Sequence, residues 1–433
     1  MKRYAEYKDS GIEWIGEIPR DWEIERLKDC TTVNDDVLSE KNDSEYLFRY
    51  VDIGSVTLQY GINQYQEMIF SEAPSRARRI VKSGDIIVST VRTYLKAVAK
   101  IDDDNDVIVS TGFAVIRPRT ISPRFLNYAL VNNYFVETVA SRSVGVSYPA
   151  INSSTMMNIK IPVAPIAIQQ HIADYLDRKT TAIDSLIADK QNLVELLKEK
   201  RNAVISEAVT TGLDKTVKMK DSGIDWIGKI PEGWATGKTI YGLSMPITDG
   251  PHETPEFFDV GIPFISAEAI KNGKIDFNLK RGYISPSYYK ECCKKYTPER
   301  DDIYMIKSGA TTGNVAMVET DDIFTIWSPL AAFRCNERLL PKFLLYSLVS
   351  KGYQKQVENK WSFGTQQNIG MRVLESLRIT YPPICEQRSI VAYLDRKTSQ
   401  IDSLISDINE QIEKLKEYRQ SVISEVVTGK VAV

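Results

Sequence analysis

Histidine is nearly absent from this chain: among 433 residues, only His171 and His252 occur. The 5 cysteines are scattered and form no C-x-x-C pair, so we expect neither a disulfide framework nor a cysteine-ligated metal. No stretch approaches the roughly 18 unbroken apolar residues of a membrane span. The charged N-terminus also lacks the apolar run of a signal peptide. We therefore expect a cytoplasmic protein with no membrane contact.

An excess of charge of one sign is also missing. Lys and Arg number 55 against 57 Asp and Glu, which gives a formal net charge of -2. A chain so close to neutrality has no global positive field to attract nucleic acid, so any DNA binding must come from local patches or from partner subunits. The 43% apolar and 26% charged residues are typical of a globular chain, which at this length comprises at least two domains.

The sequence contains fragments of two enzyme active-site motifs, and each fragment lacks a residue that the chemistry requires. His252-Glu253 opens like a zinc-protease motif, yet Glu256 stands where the second histidine belongs. Residues 381–384 read Tyr-Pro-Pro-Ile, whereas an amino-methyltransferase needs an amide or carboxylate at the first position to hold its target amino group. We therefore predict a protein without an active site of its own.

The chain is an internal duplication. Residues 8–19 return at 220–231 with ten of the twelve positions identical, and residues 175–180 return unchanged at 393–398. The segments between these blocks have diverged almost completely and share only a skeleton. A repeat of this length exceeds the roughly 20–50 residues of solenoid units. We expect two domains that share a scaffold and carry out separate tasks.

The repeated block that follows each diverged middle predicts a long helix. From 172 to 204 and from 390 to 422, mostly apolar residues recur at alternating steps of four and three, which indicates the seam of a coiled coil. This spacing places Leu186 and Leu404 in the predicted seam. At 1.5 Å per residue, a helix of about 40 residues spans about 60 Å. Two ordinary helices, each packed on its own domain, are the alternative.

The diverged middles predict mixed α/β modules. Short apolar runs predict strands, and a proline-led segment with helical spacing follows them in both halves. The predicted elements are strands 86–89, 107–109 and 113–118 with a helix at 125–139, then strands 303–306, 323–326 and 330–334 with a helix from 341 to about 357.

Taken in order along the chain, these motifs resemble the specificity subunits of type I restriction–modification enzymes. Each piece alone is weak, but the whole set occurs twice in the same order. The motifs that carry the resemblance are Ile-Pro-x-x-Trp at 18–22 and 230–234, Gly-Asp-Ile-Ile at 84–87 with Val-Arg-Thr-Tyr-Leu-Lys at 91–96, and Tyr-Leu-Asp-Arg-Lys-Thr at 175–180 and 393–398. The second copy departs from the pattern at Asp301 and at 307–313.

The resemblance implies an α+β fold, in which two mixed α/β target-recognition domains are joined by two long antiparallel coiled-coil helices in an internal pseudo-twofold repeat. Each recognition domain is expected to read one half of a bipartite site in double-stranded DNA, and the helices are expected to set the spacing. The implied parts are the first recognition domain at 1–165, the first spacer helix at 166–212, the second recognition domain at 213–384 and the second spacer helix at 385–433.

The resemblance also implies that the chain is non-catalytic. Two methyltransferase subunits are expected to dock on the helices, and two restriction/translocase subunits are expected to join them. The chain itself is expected to bind no cofactor, because S-adenosylmethionine and ATP belong to those partners. A stand-alone DNA-binding or assembly scaffold without a restriction partner is the alternative, whereas a nuclease or methyltransferase has no supporting motif.

Candidate DNA contacts follow from side-chain chemistry. Cationic side chains suit phosphates and guanine edges, hydroxyl groups can contact phosphates or base edges, and amide side chains pair with adenine. A solvated loop is the alternative for the basic cluster, and a structural turn is the alternative for the glycine-containing loops. In the first domain the candidates are the basic cluster Arg76, Arg78, Arg79 and Lys82, the alternating Arg92, Tyr94 and Lys96, and Ser147 and Tyr148 of a glycine-containing loop. In the second domain they are Lys307, Thr311, Thr312, Asn314, Trp361, Thr365, Gln366, Gln367 and Asn368.

Overall fold

The structure, a computed structural model, describes residues 3–271, 273–363 and 367–433. Contacts divide the chain into two compact units. The first unit comprises Met1–Lys190 and Glu410–Val433, and the second comprises Gln191–Asn409. Each of the two long helices is thereby shared, because its first part belongs to one unit and its remainder to the other.

The two sequence halves share most of their order of secondary structure. The first half contains the strands β1 Tyr7–Asp9, β2 Glu17–Pro19, β3 Glu23–Arg26, β4 Thr31–Val33, β5 Leu47–Val51, β6 Val56–Thr57, β7 Gly61–Ile62, β8 Gln66–Ile69, β9 Ala77–Ile80, β10 Ile86–Ser89, β11 Val98–Lys100, β12 Val107–Ser110, β13 Phe113–Pro118 and β14 Lys160–Val163. Its helices are α1 Leu27–Cys30, α2 Pro123–Val131, α3 Asn133–Ser141, α4 Ser153–Met157 and α5 Ile166–Thr211.

The second half contains the strands β15 Met219–Asp221, β16 Lys229–Pro231, β17 Ala235–Lys238, β18 Thr248–Asp249, β19 Ile262–Ile265, β20 Ile270–Lys271, β21 Lys274–Ile275, β22 Gly282–Ile284, β23 Ile303–Ile306, β24 Val315–Met317, β25 Thr325–Ile326, β26 Leu330–Phe333, β27 Ser362–Phe363, β28 Gln367–Asn368 and β29 Arg378–Tyr381. Its helices are α6 Pro286–Cys293, α7 Pro341–Val349, α8 Lys351–Lys360, α9 Met371–Ser376 and α10 Ile384–Val427.

The sheets confirm the mixed α/β modules and their common skeleton. One antiparallel sheet has the order β11-β10-β13-β4 in the first unit and β24-β23-β26-β18 in the second. A further sheet has the order β8-β5-β12-β9, with β5 and β12 parallel, and its counterpart has β22-β19-β25 with β19 and β25 parallel. The edge strand β9, which lies between β8 and β10 in the sequence, is therefore an addition to the first unit. In the described part of the second unit, the helix α6 lies between the corresponding strands β22 and β23.

A buried ion pair fixes the central strand of each unit. Arg117 of β13 holds the Asp85 carboxylate with two hydrogen bonds of 2.9 and 2.8 Å. In the second unit, Arg334 holds Asp302 with two bonds of 2.7 Å. Both carboxylates are buried, and the hydrogen bonds that Arg117 donates to Asp85 hold the pKa of Arg117 above its ordinary value. Such two-point contacts fix the position of one strand against the other.

The helix predicted at 125–139 is wrong as a single element, and so is the one predicted from 341. Asn132 adopts an extended conformation between α2 and α3, and its side chain accepts a hydrogen bond from the Tyr134 N–H group at 3.0 Å. Ser350 separates α7 from α8 in the same way and caps Tyr353. An internal N-cap residue thus restarts each helix, because it satisfies backbone donors that would otherwise have no partner.

The two long helices are confirmed, but the predicted seam is wrong at Leu186 and Leu404, which are exposed. In α5 the buried residue is Ile187, one position later. The cause is a buried threonine, Thr180 in α5 and Thr398 in α10. Because this threonine is itself a buried position, two spacings of four residues follow each other in the buried stripe. The stripe of buried and half-buried residues in α5 runs through 172, 176, 180, 183, 187, 190, 194, 197, 201, 205 and 208. Ten steps over 36 residues give an average spacing of 3.6 residues, which is the period of a straight α-helix. Little supercoiling of the two helices is therefore expected.

Polar contacts show that the two helices run antiparallel within each unit. In the first unit Arg419 donates to Asp184 at 2.9 Å, and Lys190 donates to Gln411 at 2.6 Å. In the second unit Arg201 donates to Asp402 at 2.8 Å. Arg201 and Asp402 occupy the positions in the repeat that correspond to Arg419 and Asp184. The internal repeat therefore extends to the contacts between the helices.

The buried ion pair yields a stability prediction. Replacing Arg117→Met should lower the free energy of unfolding by about 3 kcal/mol, because it leaves the buried Asp85 carboxylate without its cationic partner. Adding Asp85→Leu should restore most of that loss, since two apolar side chains then replace the pair. Urea denaturation measures both variants. Arg20→Met, which removes a solvent-exposed pair with Glu6, is the control and should not change stability. Equal stability of the Arg117 variant and this control would contradict the assignment.

Candidate nucleic-acid interface

In the first unit, two loops lie side by side at the end of the central strand. The segment 91–96 follows β10, and the loop 143–150 follows α3. The Ile151 N–H group donates to the Thr90 carbonyl at 2.8 Å, and the Thr93 hydroxyl donates to the Ser143 hydroxyl at 2.8 Å. These contacts join the two loops into one surface, which we call the first loop pair.

The first loop pair unites five of the predicted contact residues. The Arg92 guanidinium lies 5.0 Å from the centre of the Tyr148 ring, a cation–π contact between the two loops. Tyr94 and Ser147 are exposed beside them. Arg92 also adopts a left-handed backbone conformation (φ 51°), which is uncommon for a residue with a side chain. Lys96 is partly withdrawn, because it forms an ion pair with Glu137.

The second unit has a loop pair at the equivalent place. Residues 307–314 follow β23 and lie against 367–369. The Gly309 N–H group donates to the Gln367 carbonyl at 3.0 Å, and the Ile369 N–H group donates to the Lys307 carbonyl at 2.9 Å. This second loop pair presents hydroxyl and amide groups to solvent. Its predicted contact residues are Lys307, Thr311, Thr312, Asn314, Gln367 and Asn368.

A buried carboxylate organises the cations beside the second loop pair. Asp249 accepts an ion pair from Lys295, lies 3.3 Å from the Lys307 ammonium and lies 3.1 Å from the His252 ring nitrogen. Burial alone would raise the pKa of Asp249, but the two lysines outweigh it and hold the pKa below its ordinary value. Lys307 is only 12% exposed, so its positive charge is partly balanced by Asp249 within the protein. Motif reasoning missed this cluster, because its members are distant in sequence.

The basic cluster predicted at 76–82 does not converge on one point. Its central part is the edge strand β9, which directs neighbouring side chains to opposite faces. Arg76 lies at the end of β9 that is near the first loop pair. Its carbonyl accepts a hydrogen bond from the Thr111 N–H group, and the carbonyl of the next residue, Gly112, accepts one from the N–H group of Thr90 at the end of β10. Lys82 lies beyond the other end of the strand and pairs with Asp36 at 3.1 Å.

The remaining members of the predicted set are held differently. Arg78 rests over the Phe70 ring at 4.9 Å, and the Nε atom of Arg79 is buried. Trp361 is partly buried and packs against the core of the second unit. Thr365 and Gln366 lie outside the described residues. All of these remain predictions as DNA contacts, and Arg76 is the member of the basic cluster nearest to the first loop pair.

Features of other site types can be stated for the described ranges. There, three or more His, Cys, Asp or Glu side chains do not come together as metal ligands. No helix within these ranges has the length and apolar character that crossing a membrane requires. The two tryptophans of the repeated opening motif, Trp22 and Trp234, are buried, as expected for scaffold residues.

The arrangement defines a class: a protein that carries two copies of one recognition module, each followed by a long helix and each presenting its own loop pair. The family follows from the sequence. Residues 19–196 and 251–414 match the type I restriction modification DNA specificity domain, and the chain belongs to this family. It is accordingly a specificity subunit whose two modules recognise DNA sequence.

Relatives of similar length support this assignment. The chain is 25% identical over 441 residues to a putative type I restriction enzyme MjaX specificity subunit of Methanocaldococcus jannaschii, covering 97% of this chain and 96% of the relative. It is 24% identical to the EcoBI specificity subunit of Escherichia coli, covering 71% and 65% of the two chains. Its fold is similar to that of a solved chain described under "complex assembly and conformational transition of the type I R-M system", with a TM-score of 0.71, 23% identity and coverage of 96% and 99%.

The second loop pair yields a specificity prediction. Replacing Gln367→Ala together with Asn368→Ala should relax the base preference in one half of the target and leave the other half unchanged. A lost two-point amide–adenine contact costs about 1–3 kcal/mol, which is roughly a 5- to 150-fold loss of discrimination. Sequencing of methylated sites, made with the methyltransferase partner present, measures this. The exposed Gln191→Ala on α5 is the control. Relaxation in both half-sites would contradict the assignment.

Proposed function

We propose that the first unit reads one half of a bipartite DNA target and the second unit reads the other half. The observation that carries this proposal is the duplicated loop pair. Each pair stands at the end of the equivalent central strand, β10 or β23, of equivalent sheets, yet their exposed side chains differ in kind. A shared scaffold with different contact chemistry is what two unlike half-sites require.

The experiment exchanges one recognition domain. Replacing residues 20–165 with the corresponding domain of a relative of known target should change one half-site to that of the relative and keep the other. The core of the first unit is built from scaffold positions common to both halves, so the exchanged domain has the partners that it needs. Methylated-site sequencing identifies both half-sites. A simultaneous change in both halves would contradict the division of labour.

We assign all chemistry to partner subunits. Two methyltransferase subunits that carry S-adenosylmethionine dock on the helices, and two restriction/translocase subunits that use ATP join the complex. The chain itself binds no cofactor and does not methylate or cleave DNA. This proposal places the protein in the cytoplasm, where its DNA target and ATP-dependent partners are found. Phosphate contacts from the partners also compensate for the near-neutral charge of this chain.

The repeated helix surface supports docking of two identical partners. Leu186 and Leu404 occupy the same position in the identical segments 183–187 and 401–405, and they are 44% and 51% exposed. An exposed leucine that recurs in unchanged surroundings presents the same apolar contact twice. The surfaces that the two copies keep identical are therefore the ones we assign to a common partner, in contrast to the diverged loop pairs.

A charge placed on this surface tests the docking. Leu186→Glu and Leu404→Glu should each abolish one of two methyltransferase binding events, and the double variant should abolish both, because a buried unpaired carboxylate is strongly unfavourable. Native mass spectrometry of the mixed subunits counts the bound copies. Leu196→Glu is the matched control, since Leu196 is 60% exposed on α5 but has no leucine counterpart in α10. Full binding by the double variant would favour the stand-alone scaffold instead.

A further inference from the structure

The tip of the first loop pair is apolar and exposed. In the loop 143–150, Val144 is 81% exposed and Val146 is completely exposed, and Tyr148 follows them on the same tip. Gly145 and Ser147 stand between these side chains. Removing exposed apolar surface from water is favourable, so a contact that covers these side chains would be stabilised by their burial.

The tip is held in place by its own hydrogen bonds. The Val144 and Ala150 backbones exchange two hydrogen bonds of 2.9 and 3.0 Å, which close the loop as a small hairpin. Gly145 takes a left-handed conformation (φ 119°), and a Cβ atom there would lie 3.1 Å from the Tyr148 carbonyl oxygen. The Tyr148 ring is further anchored by Arg92. The two valines therefore project from a fixed support.

The surroundings indicate DNA as the occupant. Arg92 stands at the base of the tip, and Ser147 places a hydroxyl beside Val146. The equivalent loop pair of the second unit presents threonines and amides instead of valines. A protein partner common to both halves requires the same contact twice, as the repeated leucines of the helices provide. A surface whose chemistry changes between the halves fits the ligand that also changes, which is the base sequence.

The apolar group that B-DNA offers in its major groove is the C5-methyl group of thymine, and small apolar side chains contact it. Valine has a short, branched side chain, which suits contact with a methyl group better than insertion between stacked bases, where larger side chains are used. We propose that Val144 and Val146 read a thymine methyl group in the half-site of the first unit. The inference rests on the proposed function and adds the chemical group that is recognised.

The test removes that methyl group from the DNA. Once methylated-site sequencing has given the target, duplexes are prepared in which each thymine in turn is replaced by deoxyuridine. Binding is measured with the assembled methyltransferase complex. At one or two thymines of the first half-site, uracil should lower the affinity about fourfold, the effect of withdrawing one buried methyl group. Uracil at the thymines of the other half-site should change the affinity by the same factor in wild type and in Val146→Ser.

The protein variant completes the cycle. Val146→Ser should bind the thymine duplex as weakly as wild type binds the uracil duplex, and uracil should cause no further loss, because the two changes remove the same contact. Val260→Ser, at another exposed valine in a loop of the second unit, is the control and should leave thymine preference intact. Circular dichroism confirms that both variants are folded.

Three outcomes overturn the inference. The first is a first half-site without thymine or with full tolerance of uracil, and the second is an additive loss in the cycle. The third is a Val146→Ser variant that binds DNA normally but loses the methyltransferase, which would assign the tip to a protein partner. Failure of the proposed function is separate from these, because it appears in the domain exchange as two half-sites that do not change independently.

Discussion

The two-point contact between Arg117 and Asp85, repeated as Arg334 with Asp302, is the constraint on which each recognition unit depends. The Asp85 carboxylate also accepts the Lys82 N–H group at 2.8 Å, so that one buried group joins the preceding turn, the central strand and its neighbour. The segment 91–96 of the first loop pair begins only a few residues beyond this point. A shift of the strand by one residue would turn every side chain to the opposite face and misplace the loop with it.

The loop pairs are consequently free to vary. Their backbone positions are imposed by the strand below, while most of their predicted contact side chains are exposed and contribute little to the core. Substitutions at such positions change stability only slightly. The helices are under the opposite constraint, because their exposed leucines stand in segments that are identical in both copies. Variation and repetition thus separate the surface that we propose for DNA from the surface that we propose for a protein partner.

Much of the fold could be predicted from the sequence, and the failures have local physical causes. The strands at 86–89 and 113–118 were correct because apolar β-branched runs bounded by turns have few alternatives. The helix breaks were missed because Asn132 and Ser350 act as caps through side-chain hydrogen bonds, which the apolar spacing does not reveal. The seam shifted because a buried Thr180, a residue without apolar character to mark it, occupies a core position. The Asp249 cluster depends on contacts across long sequence separations, which no local pattern contains.

The glycine that follows α10 has a consequence for biosynthesis. Gly429 lies so close to the opening motif of the first unit that a Cβ atom there would stand 2.2 Å from the Cδ atom of Pro19, and Val422 and Val426 complete the core around Trp22. These partners are translated about 400 residues after Trp22. Domains generally fold as they leave the ribosome. The first unit therefore stays incomplete until α10 has been translated, so a module whose synthesis precedes that of the second unit is completed only after it.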